Sequence, residues 1–127
     1  MYARVYKMST VAVRIGWCPR DTGEAIELAR KGGKSTFLSH DDAGRFFALA
    51  VASDNPPPGS TAVVHLSSKP PPGQQSRVDP EPARLLCGYV GADEFPAGLP
   101  YPVLDPVRQR PSPGSERGLA AWFSPCA

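Results

Sequence analysis

The chain has 127 residues, room for one domain, and 14 Lys and Arg against 12 Asp and Glu leave a formal net charge of +2. So balanced a composition offers no basic patch for nucleic acid, and no apolar run approaches the roughly 20 residues a membrane helix needs. Three cysteines, at 18, 87 and 126, form neither a disulfide framework nor a metal-type pair, and the N-terminus carries no secretory core.

These features predict a reduced, cytoplasmic protein with no nucleic-acid or membrane partner. Sixteen prolines crowd into NPPPGS, KPPPGQQ, DPEP and the stretch after Pro96. Proline locks φ and removes a backbone donor, so these segments are expected to be loops, caps or tail.

In chain order, residues 1–9 read as the last turns of a helix, with Tyr2, Val5 and Tyr6 spaced to share a face. Residues 10–16, rich in β-branched side chains, read as a strand. Asp21 followed by Glu24 is a loose capping box, opening a helix over 22–31 that stops at Gly32-Gly33. Thr36-Phe37-Leu38 is an extended entry to the clearest element. Ser39 is its N-cap and Asp42 its third helical residue, and Asp41 and Asp42 suit the positive end of the helix dipole. Ala43, Phe46, Phe47, Ala50 and Val51 then follow helical spacing and are expected to form one core face.

NPPPGS ends that helix. Residues 61–68 read as a second strand. Asp79 is expected to cap a short helix with Pro80 in its first position, running to Cys87 and stopped by Gly88. Residues 88–100 read as loop, and 102–127 as a mostly disordered tail. There are no internal repeats. The order is helix, strand, helix, helix, strand, helix, an α/β pattern with too few strands for a complete parallel sheet.

Three motifs resemble sites. Gly32-Gly33-Lys34-Ser35 matches the end of a P-loop, but Leu28 stands where the first glycine must be and the stretch follows a helix, so a helix cap and solvated turn is the expectation. His40, Asp41 and Asp42 are consecutive and point different ways around a helix, which suits capping rather than metal ligation. Cys18 follows a strand, as a nucleophile could, but has no local base and reads as a structural thiol. No GxSxG elbow is present. No catalytic and no metal residues are assigned.

One resemblance covers residues 1 to about 101. The order YARVYKMSTVAVRIGW, TFLSHDDAGRFFALAV and VDPEPARLLCGYVGADEFP resembles the C-terminal half of an extended short-chain dehydrogenase/reductase. That is the NAD-dependent epimerase/dehydratase family, in its uronate-dehydrogenase-like branch. The resemblance implies an incomplete Rossmann-type fragment: two or three strands with three or four helices, followed by the Pro-rich tail. The family's glycine-rich turn and Tyr-x-x-x-Lys pair are not in these 127 residues; the resemblance implies that both lie before the position matched by Met1.

By the same matching, Ile15, Gly16 and Trp17 would touch the nicotinamide of NAD or NADP, and Trp17, Cys18 and Arg20 would line a pocket for a sugar-type small molecule. The resemblance further implies that this chain does not bind the cofactor alone and that its partner is the N-terminal Rossmann half. The alternative is a non-enzymatic interaction or dimerisation module derived from that fold.

Overall fold

A computed structural model describes residues 2–104. Cys126 and all but the first three residues of the expected tail lie outside them. The described residues are mixed α/β, with four α-helices and a two-stranded parallel sheet. Helix α1 (Tyr2–Tyr6) leads into strand β1 (Thr10–Ile15). Helix α2 (Thr22–Arg30), a 3-10 turn (Gly33–Thr36) and helix α3 (His40–Ala52) make the crossover to strand β2 (Thr61–Leu66). Helix α4 (Glu81–Cys87) follows.

The local signals act as their chemistry requires. Asp21 accepts a hydrogen bond from the Glu24 amide at 2.9 Å. Glu24 does not complete the capping box; its carboxylate instead accepts from the Arg20 amide at 2.9 Å and from the Arg20 guanidinium. Ser39 caps α3 by accepting from the Asp42 amide at 2.9 Å. Gly88 stops α4 in the left-handed region at φ 74°. Asp79 does accept from the Glu81 amide at 3.0 Å, but Pro80 sits at the cap itself and Glu81 opens the helix, one residue later than expected.

β1 and β2 run parallel in the register Thr10↔Thr61 through Ile15↔Leu66. Val11, Val13, Val64 and Leu66 face α3 and α4, packing with Leu38, Phe46, Ala83, Leu86 and Tyr89 in the main core. Full burial of a side chain the size of Phe46 contributes about 1.5–3 kcal/mol. A second cluster joins Ala25, Leu28 and Ala29 of α2 to Phe37 and Phe95. Val103, just past the expected domain end, also packs there.

Two expectations need correction, and a third is borne out on an exposed face. Phe47 and Val51 are 49% and 88% exposed, so the core face of α3 is narrower than its apolar spacing suggests. Tyr2 and Tyr6 share a face of α1 as their spacing suggested, their rings stacked at 6.0 Å, and with Val5 they are exposed. Ser35 is buried inside a 3-10 turn rather than lying in a solvated one, because the turn folds back under α2.

Among the described residues, no helix covers the other face of the sheet. Ala12 and Arg14 of β1 are exposed, and Val63 is 50% exposed. Parallel strands ordinarily lie under cover on both faces. Both outer edges of the pair are also unpaired among the described residues.

Candidate functional site

Parallel strands present their carboxyl ends on one side, and in open α/β sheets ligands bind beyond those ends. Here β1 and β2 separate at Gly16 and Leu66. Gly16 still donates to the Leu66 carbonyl at 2.7 Å, but Trp17 donates to the Thr36 carbonyl at 2.7 Å. Leu38 donates back to Trp17 at 2.9 Å, and Ser68 donates to Phe37 at 2.7 Å. Residues 36–38 are therefore a wedge between the diverging strands. A Cβ on Gly16 would run into the Thr36 carbonyl and lie 3.0 Å from the Leu66 oxygen, so only glycine fits the crotch of the fork.

The wedge feeds directly into α3. Ser39 donates from its backbone to the Ser68 hydroxyl at 2.9 Å, and its own hydroxyl donates to Asp93 at 2.6 Å. Asp42 is fully buried. It accepts from the backbone of Ala92 at 3.1 Å and of Asp93 at 3.0 Å, and it pairs with Arg45, which also reaches Asp93 at 3.0 Å. Burial opposes the charge on Asp42, but hydrogen bonds from Ser68, Arg45 and the two backbone amides outweigh it and hold the carboxyl below its ordinary range. Capping is therefore only part of what Asp42 does. It clamps the loop 91–93 onto the carboxyl ends of the strands.

Ile15, Gly16 and Trp17 all lie at that carboxyl end, Ile15 exposed and the other two half-buried. The three residues expected to line one pocket diverge. Trp17 packs towards α2 with the second cluster, and the Lys31 ammonium stands 6.0 Å from its ring centre. Cys18 packs against the main core, and burial raises its thiol above the ordinary value. Arg20 points to solvent and pairs with Glu24. Pro19 separates them, its carbonyl accepting from the Tyr101 hydroxyl at 2.7 Å and bonded to His40 Nε2 at 2.8 Å. His40, Asp41 and Asp42 also diverge, with His40 on Pro19, Asp41 exposed and Asp42 buried. Cys18 and Cys87 are free thiols.

Two clefts flank the sheet. One of about 370 Å³ lies at the amino end of β2, between Arg4 and Ser60. The other, of about 250 Å³, lies at the carboxyl end of β2, between His65, Lys69, Ser76 and Tyr89. Neither is lined by Trp17, Cys18 or Arg20. Tyr89 forms a wall of the second cleft and donates to the Ser67 carbonyl at 2.9 Å; burial first, and the Asp42 charge second, push its phenol far above the ordinary value. Sequence reasoning missed Ser67, Ser68, Lys69 and Asp93. Each acts through contacts with distant segments, and only Lys69, a cation after a strand, carried any local signal.

No helix among the described residues is long and apolar enough to cross a membrane. No family model matches the chain, and no curated protein or solved structure matches it.

Proposed function

We propose that the chain supplies the nicotinamide- and substrate-side part of an NAD(P)-dependent oxidoreductase or epimerase acting on a sugar or sugar nucleotide. It acts together with a segment that provides the dinucleotide cradle and the proton-transfer pair. The observation that carries this reading is the parallel pair β1·β2, covered by α3 and α4 on one face and, among the described residues, by no helix on the other. A buried parallel sheet wants cover on both faces and a paired edge, and β1 offers an edge of unpaired backbone N–H and C=O groups to a further parallel strand. The wedge at Gly16 also opens the carboxyl end of the sheet, where a nicotinamide would meet Ile15, Gly16 and Trp17.

Hydride transfer needs a gripped cofactor and a positioned acid/base, and the 127 residues contain neither a glycine-rich turn nor Tyr-x-x-x-Lys. The test is calorimetric titration of the purified chain with NADH and NADPH, followed by mixing with a separately produced glycine-rich βαβ half. No saturable cofactor binding by the chain alone, and cofactor-dependent association of the two halves, are expected. Micromolar binding of NADH by the chain alone would overturn the proposal.

A second reading, a dimerisation module, rests on the same open edge together with the exposed Tyr2, Val5 and Tyr6 of α1. Light scattering separates the two. A concentration-dependent dimer that ignores the glycine-rich half favours the module.

A further inference from the structure

The cleft at the carboxyl end of β2 has walls that are held before any ligand arrives. Lys69 donates its backbone N–H to Asp93 at 2.9 Å, and Tyr89 holds the Ser67 carbonyl. A Cβ on Gly91 would come within 2.8 Å of the Ser68 backbone, so the two walls are pressed together at van der Waals limits. At about 250 Å³ the space lies just below the usual ligand-cavity range of roughly 300–1,000 Å³, which limits it to a small molecule.

Its chemistry is one-sided. Arg20, Arg45 and Arg84 are each paired with an acid of the chain. His65 and Lys69 hold no side-chain partner among the described residues, and no Asp or Glu lines the cleft. Arg14, the register neighbour of His65 on β1, is likewise without an ion pair. The rest of the wall combines the apolar Pro70, Pro80 and Val90 with Ser67, Ser68, Ser76 and Tyr89, whose hydroxyls are already bonded within the protein. Two unpaired nitrogen donors beside apolar side chains select a molecule with an anionic end and an apolar body.

We infer that this cleft binds a small organic carboxylate, its oxygens on His65 and Lys69 and its body against Pro70, Pro80 and Val90. The inference does not depend on the oxidoreductase reading, since it concerns the carboxyl end of β2 and needs neither cofactor nor partner.

Benzoate is the probe, with benzamide as its uncharged counterpart and inorganic phosphate as an anion without an apolar body. Amide chemical shifts of the full 127-residue chain are followed by NMR during each titration. Benzoate should saturate with a Kd on the order of 1 mM, as its size allows, and move amides of residues 65–69 and 89–91. Benzamide and phosphate should each bind about tenfold more weakly or worse. Lys69→Met and His65→Gln should each weaken benzoate about tenfold, the usual scale for losing a bond to a charged group, while Arg30→Gln leaves it unchanged. Unchanged amide spectra away from the cleft show that the variants fold. Failure of benzoate to saturate, equal binding of benzamide or phosphate, or full binding by Lys69→Met would each overturn the inference.

Discussion

Replacing Asp42 by alanine is the most informative single change in this protein. The carboxylate is fully buried and joins α3 to the loop 91–93 through the backbone N–H groups of Ala92 and Asp93, at 3.1 and 3.0 Å. It also serves Ser68 and Arg45. Asp42→Ala strands two backbone donors and a hydroxyl, each costing about 1–3 kcal/mol when left unmade. Arg45 is half-exposed and keeps Asp93, so its loss counts for little. Three such groups sum to about 3–9 kcal/mol, and the lower part of that span, about 3–5 kcal/mol, is the range for breaking one side of a buried pair. Against a stability of about 5–15 kcal/mol for a domain of this size, that is a large share. Tm should fall by about 12–40 °C, taking about 4–8 °C per kcal/mol.

Urea unfolding followed by circular dichroism measures the cost, with Asp42→Asn as the milder partner because one acceptor oxygen survives. The acid limb gives a second readout. The folded carboxyl of Asp42 is depressed, so its contribution is complete above the unfolded value of about 3.9 and is lost as pH falls through the lower folded value. Wild type should therefore lose stability below about pH 4 more steeply than Asp42→Asn, in which this group cannot titrate. A loss under about 1 kcal/mol for Asp42→Ala, within the ordinary scatter of point changes, would refute the clamp.

Three further outcomes are expected. Gly16→Ala forces a methyl against the Thr36 carbonyl and should cost at least about 1–3 kcal/mol, because neither neighbouring backbone can yield; equilibrium unfolding checks it. Phe46→Ala, at a site with no exposure and a perpendicular contact with Tyr89 at 5.5 Å, should cost about 3–5 kcal/mol in the same assay. Phe47→Ala, one residue on and half-exposed, should stay within about 1 kcal/mol, and equal effects at the two positions would contradict the orientation of α3. Hydrogen exchange should be fast for β1 amides on its outer edge and slow for Gly16, whose N–H is held by Leu66.

Much of the fold was legible because it is local. Ser39 caps a helix whatever surrounds it, since its hydroxyl needs only the amide three residues on. Gly88 and Gly32 stop helices because left-handed φ costs glycine almost nothing. The β-branched run at 10–15 reads as a strand in any context. The candidate site was legible only in part. Ile15, Gly16 and Trp17 stand at the carboxyl end of a strand, as their order suggested. That Trp17 and Cys18 turn to opposite clusters follows from their alternation beyond β1, but which cluster each meets depends on where α2 and α3 lie.

Capping residues, helix stops and strand-forming runs were thus determined by the amino-acid order alone, because each is decided by backbone preferences and bonds spanning three or four positions. The pairing of β1 with β2 across some fifty residues, the wedge of 36–38 between them and the clamp from Asp42 to residues 92 and 93 were decided only by the tertiary structure. Those contacts close long loops, whose partners no local pattern names. Phe47 shows the same limit from the other side. It has the spacing of a core residue, yet half of it stays exposed and its ring meets only the edge of Phe46 at 5.4 Å among the aromatic contacts of the described residues, because a helix face is buried only where another element covers it.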